Sequence, residues 1–133
     1  MEAVLNNAKD NSAVHHMILY ECKAPEGQNA ADVFDPYVGT DQGGVCYTSE
    51  VPEVFQYCIG NYIFAWAIGG YGEILPKHIG VPIGQANGGG SYFLLETHYD
   101  NPDLRNDLLD NSGMRFYLTD ELREYNAGLL SHI

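Results

Sequence analysis

Three stretches carry the strongest strand patterns in the chain. Residues 14–21, VHHMILYE, are rich in branched and aromatic side chains. Residues 61–68, NYIFAWAI, are apolar at nearly every position, which predicts a central strand covered on both faces. Residues 92–99, YFLLETHY, form the clearest strand. Period-two alternation there puts Tyr92, Leu94, Glu96 and His98 on one face. GGYGEILPKHIGVPIG at 69–84 reads as a turn and a short extended piece, MRFYLTDEL at 114–122 as a last good strand, and 123–133 as the start of another extended piece. NGGGS at 87–91 predicts a hairpin-type turn before the third strand. Residues 23–53 are broken by Gly, Pro, Asp and Asn and hold no sustained helical period, so they read as a long loop. Five or six strands, long loops and no helix predict an all-β, antiparallel β-sandwich of jelly-roll type.

A length of 133 residues suits one domain with one core. Ten tyrosines and fifteen glycines agree with strands and turns. The net charge of −12 argues against nucleic acid and against an anionic membrane surface as partners, because both select for basic side chains. No apolar run approaches the roughly 18 residues of a membrane span. The first thirteen residues, MEAVLNNAKDNSA, lack the basic and apolar regions of a signal peptide. Cys22, Cys46 and Cys58 contain no C-x-x-C spacing, which disfavours a zinc ribbon. All three read equally well as free thiols or as one bridge with a thiol left over.

The adjacent pair His15–His16 is the unusual feature. On a regular strand neighbouring side chains point to opposite faces. A metal beside the backbone would then take one nitrogen from each in a wide, nearly linear arrangement. Copper(I) accepts such low-coordinate imidazole sites, whereas zinc prefers four tetrahedral ligands. His98, on a neighbouring strand, is the best-placed third imidazole. His78 lies in a Gly/Pro loop, and His132 is close to the chain end. The alternative reading is that the histidines have no special role.

The segments VHHMILYEC, FAWAIGG, LPKHIGVPIG, YFLLETHYDNP and DNSGMRFYLTDELREYNAGLL occur in this order. Together they resemble the copper type II, ascorbate-dependent monooxygenases, over about residues 13–130. FAWAIGG, HYDNP and NAGLL are most similar to the DBH-like branch. Glu96 stands where the peptide-amidating branch has glutamine, which argues against peptide amidation. The resemblance implies a catalytic core of two β-sandwich domains with one copper each. The first holds an electron-transfer copper, here through His15, His16 and His98. The second uses a His-x-His pair and a methionine, and no His-x-His occurs in this chain. Residues 1–133 are therefore expected to be part of the first domain, with the second copper domain absent. That domain is the expected partner, together with a small amine-like substrate. Ascorbate is the expected reductant, and the secretory lumen the expected compartment. By the same resemblance Cys22 pairs with Cys58, and Cys46 pairs with a cysteine preceding residue 1. Glu96 becomes a candidate to support the ligands or to lie on the electron path, and Tyr99 a candidate to shield the metal. The second function class to weigh is an inactive copper-binding or β-sandwich interaction module derived from the family.

Overall fold

The computed structural model describes residues 1–5, 13–40, 42–84 and 91–128. Residues 87–90 of the expected hairpin turn, and His132, lie outside them. Among the described residues, seven strands and one five-residue α-helix occur in the order β1 (Glu2–Val4), β2 (Val14–Glu21), α1 (Ala30–Phe34), β3 (Tyr62–Ala67), β4 (Ile79–Gly80), β5 (Phe93–Tyr99), β6 (Gly113–Arg115) and β7 (Tyr125–Asn126). The class is all-β. The order β3-β2-β5 forms the largest sheet, and β1 pairs with β6; all of these pairings are antiparallel. The two-residue pairing of β4 with β7 is parallel, the one departure from the expected pattern among the described strands.

β2, not β3, is the central strand. The apolar reading of β3 was misleading because its outward positions are Tyr62, Ala65 and Ala67, which tolerate water and are exposed. β2 has apolar residues on both faces. Val14, Met17 and Leu19 join Phe64 and Trp66 on one face, with Met1, Ala3 and Leu5 at the N-terminus and Met114 of β6 packed against them. The β1–β6 pair thus forms a second layer over that face. Tyr20 and Cys22 join Phe34 and Cys58 on the other, supported by Ile18, Val54 and Leu94.

The long loop supplies the cover for this second face. Asn29 caps α1 by accepting a hydrogen bond from the Ala31 amide at 3.0 Å. A 3₁₀ turn, Glu53–Tyr57, leads into Cys58. The Cys22–Cys58 disulfide, 36 residues apart in sequence, ties both ends of the loop to the sheet. In the chain-entropy picture a loop of this size is worth about 4 kcal/mol. α1, the 3₁₀ turn Asp35–Tyr37 that follows it and the turn Glu53–Tyr57 correct the expectation of a helix-free loop. They escape a periodicity search because none exceeds five residues. β6 is also shorter than the expected 114–122 strand, stopping at Arg115. Its register is fixed partly by Glu2, which accepts from Arg115 at 3.2 Å and from the Tyr117 hydroxyl at 2.7 Å.

Candidate metal centre

β2 begins where β3 and β5 end, and the three histidines gather at this end of the sheet. His16 sits directly opposite His98 on β5 and Ala67 on β3. Ala67 leaves the β3 side of the imidazole open, so His16 is free to face His98. The β2–β5 register slips by one residue between Val14 and His16: Val14 pairs with Tyr99, and His16 already pairs with His98. His15 is therefore the extra residue of a β-bulge, a device that redirects a side chain.

The bulge overturns the expectation that His15 and His16 point to opposite faces. Val14 and Met17, three positions apart, are both fully buried on the same face, while the two histidines between them point outward. The His15 and His16 Nδ1 atoms are 3.1 Å apart, and those of His16 and His98 3.3 Å. The ring planes cross at 68–70°. These three residues are the one group among the described residues with ligand atoms placed to share a metal, all within 4.8 Å of one another.

The chemistry of this cluster favours a cation. His16 Nδ1 lies between the other two and can donate its single proton to only one of them. A metal satisfies all three lone pairs at once. Two nitrogens bound at about 2.0 Å and separated by roughly 110° would lie about 3.3 Å apart, close to the spacing found. His78 is elsewhere, stacked edge-on against Tyr125 at 5.9 Å.

Glu96 pairs with Ile18 and lies on the face of His98, two residues away. Its hydrogen bonds go to tyrosines. Oε2 accepts from the Tyr20 hydroxyl at 3.0 Å, and the Tyr47 hydroxyl reaches Oε2 at 3.1 Å and Oε1 at 3.3 Å. Tyr20 opposes Leu94, so it meets Glu96 diagonally across the β2–β5 pair. Burial, then the Glu96 bond, pushes the Tyr20 hydroxyl well above the ordinary tyrosine range. Tyr47 arrives from the long loop with φ at +63°, a left-handed conformation that costs a non-glycine residue about 1 kcal/mol or more. Sequence reading did not find either tyrosine. Period two from Glu96 would have reached Tyr20 once the register was known, whereas nothing in the sequence signals Tyr47.

Tyr99 pairs with Val14, whose side chain is buried on the face away from the histidines, and its hydroxyl donates to Asp110 at 3.0 Å. Trp66 is buried in the core, its indole N–H donating to the Gly70 carbonyl at 2.9 Å. Cys46 is a free thiol. Desolvation, then the Glu96 charge, raises its pKa and keeps it protonated and weakly nucleophilic.

The family described as "Copper type II ascorbate-dependent monooxygenase, N-terminal domain" matches residues 1–106. The chain is 40% identical over 117 residues to DBH-like monooxygenase protein 1 of Gallus gallus, covering 88% of this chain and 17% of that protein. The Homo sapiens protein of the same name is 40% identical over 119 residues, covering 90% and 18%. Homo sapiens dopamine beta-hydroxylase is 34% identical over 123 residues, covering 92% and 18%. The chain thus spans less than a fifth of the length of these relatives. No solved structure matches it. The donor set fits the copper of the family's description: three imidazole nitrogens at metal-sharing distances.

Proposed function

Because this chain belongs to the copper type II ascorbate-dependent monooxygenases, we propose that it is the electron-storing copper domain of such an enzyme. The observation that carries the reading is the bulge-driven convergence of His15, His16 and His98. Bound there, copper would cycle between +1 and +2, accepting electrons from ascorbate one at a time. The chain's own contribution is a ligand set of three imidazoles with no anionic member, which suits the reduced state. β2 and β5 fix the ring positions through paired backbone, so little rearrangement accompanies a change of charge. His15 and His98 are exposed, which leaves the site open to a small reductant.

In the parent protein, a second copper domain lying outside these 133 residues performs the O2-dependent C–H hydroxylation. The substrate there is a small amine-like molecule, recognised mostly by that second domain. The parent works in the lumen of the secretory pathway or outside the cell, a setting in which the Cys22–Cys58 disulfide is stable.

The test is copper stoichiometry on the oxidised, folded chain, with EPR of the Cu(II) form. The expected result is one copper per chain with a nitrogen-rich signal, lost or greatly weakened in His98→Ala. A well-folded chain that binds no stoichiometric copper would refute the assignment.

A further inference from the structure

We propose that Tyr20 and Tyr47 are positioning residues that hold the Glu96 carboxylate away from the three-histidine centre and so keep that centre purely imidazole. This rests on the reading that the centre binds copper.

The argument starts from a hazard in the sheet. Glu96 and His98 are alternate residues on one face of β5, about 6.8 Å apart along the strand. A glutamate side chain is long enough to lean across that gap toward a cation. A chain with a net charge of −12 has little competing positive charge to hold the carboxylate elsewhere. Yet the group of ligand atoms within mutual reach contains the three histidines and not Glu96.

Two hydroxyls from separate elements account for this. Tyr20 approaches from β2 and is 1% exposed, packed in the second core cluster and against the Tyr62 ring at 5.2 Å. It cannot swing with the carboxylate. Tyr47 approaches from the loop, and its hydroxyl lies within bonding distance of both oxygens. Its ring is 75% exposed, so apolar packing does not explain why its backbone holds a left-handed conformation. In that conformation its hydroxyl bonds Glu96. For Glu96 to ligate, the carboxylate must turn from both donors and give up its bonds to the two hydroxyls.

The consequence is electronic. A carboxylate is a hard, anionic ligand that favours the oxidised metal, whereas a softer all-nitrogen set favours the reduced one. By restraining Glu96, the two tyrosines set the balance between Cu(II) and Cu(I).

The experiment loads the full chain with Cu(II) and measures stoichiometry, EPR and midpoint potential. Wild type is compared with Tyr47→Phe, Tyr20→Phe/Tyr47→Phe, and that pair combined with Glu96→Gln. In the double variant the EPR signal should move toward mixed nitrogen–oxygen coordination. Its preference for Cu(II) over Cu(I) should rise at least tenfold, a midpoint lowered by about 59 mV. Adding Glu96→Gln should restore the wild-type signal and potential, which a merely structural role for the tyrosines would not do. If the double variant fails to fold, Tyr47→Phe, a change at an exposed ring, decides, with a smaller shift in the same direction expected. One copper per chain with an unchanged spectrum and potential in the folded variants would overturn the proposal alone. A folded wild type that takes up no copper would overturn the copper reading and the proposal with it.

Discussion

His16 and His98 are directly opposed residues of β2 and β5, with their Nδ1 atoms 3.3 Å apart. Cross-strand pairing by itself thus delivers two of the three clustered imidazoles. The third comes from a single extra residue. His15 is accommodated by the bulge, which lets Val14 and Met17 stay buried on the same face.

Deleting His15 should therefore separate fold from site. Without it, Val14, His16 and Met17 alternate regularly, and the apolar pair remains inward. The expected outcome is a change in stability within about 1 kcal/mol, since the ladder becomes more regular. Copper affinity should fall by more than about 100-fold, beyond the 10–100-fold typical of losing a ligand's supporting group. Urea unfolding and copper titration of the same preparation measure both. A cooperative loss of fold would show that the bulge is structurally required.

Met17 is 0% exposed, with Leu19, Phe64 and Trp66 in its core cluster. Met17→Ala should destabilise the chain by about 2–5 kcal/mol through lost burial and an unfilled cavity. Val38, 63% exposed, provides the control. Val38→Ala should stay within about 0.5 kcal/mol in the same denaturation experiment.

Reduction of the Cys22–Cys58 bridge should lower stability by about 2–4 kcal/mol, read as a lower urea midpoint in the presence of a thiol reductant. Cys46→Ser should leave the oxidised midpoint essentially unchanged, because that thiol is unbridged and its residue exposed.

The chain should also lose stability in alkali. Burial and then the Glu96 bond raise the Tyr20 pKa; burial and then the Asp110 bond raise that of Tyr99; the Asp35 bond raises that of Tyr92. Above about pH 10 the unfolded chain releases these protons while the folded chain keeps them. The unfolded state then binds fewer protons, and stability falls as pH rises. The contribution is fully present below about pH 10. Denaturant midpoints between pH 8 and 11 should decline, and Tyr20→Phe should flatten the decline.

The three histidines that cluster were legible in the sequence, because an adjacent histidine pair and a strand-borne third histidine are rare enough to stand out. Their geometry was not read, although the signal was present. Val14 and Met17 flank the two histidines at a spacing of three, and a regular strand cannot bury both on one face. The strands β2, β3 and β5 were placed to within a residue at each end. Their order was missed because alanine at 65 and 67 counts as apolar yet accepts exposure. α1 was missed despite its asparagine cap, since five residues are too few for a helical period. Tyr47 lies 49 residues from Glu96, and no local rule connects two positions that meet only when the loop closes over the sheet.

His15 and His16 are neighbours in every conformation of the chain, but His98 is 82 residues from His16. Bringing β5 alongside β2 is a long-range closure, entropically costly and characteristically slow. A metal that needs all three imidazoles recognises the docked strand and not the open chain. It stabilises the docked form by mass action, by about 2.7 kcal/mol when free metal stands at 100 times its dissociation constant. Under the copper reading proposed above, the supply of that metal would enter the folding equilibrium itself, acting on the pairing of the two strands that carry the histidines.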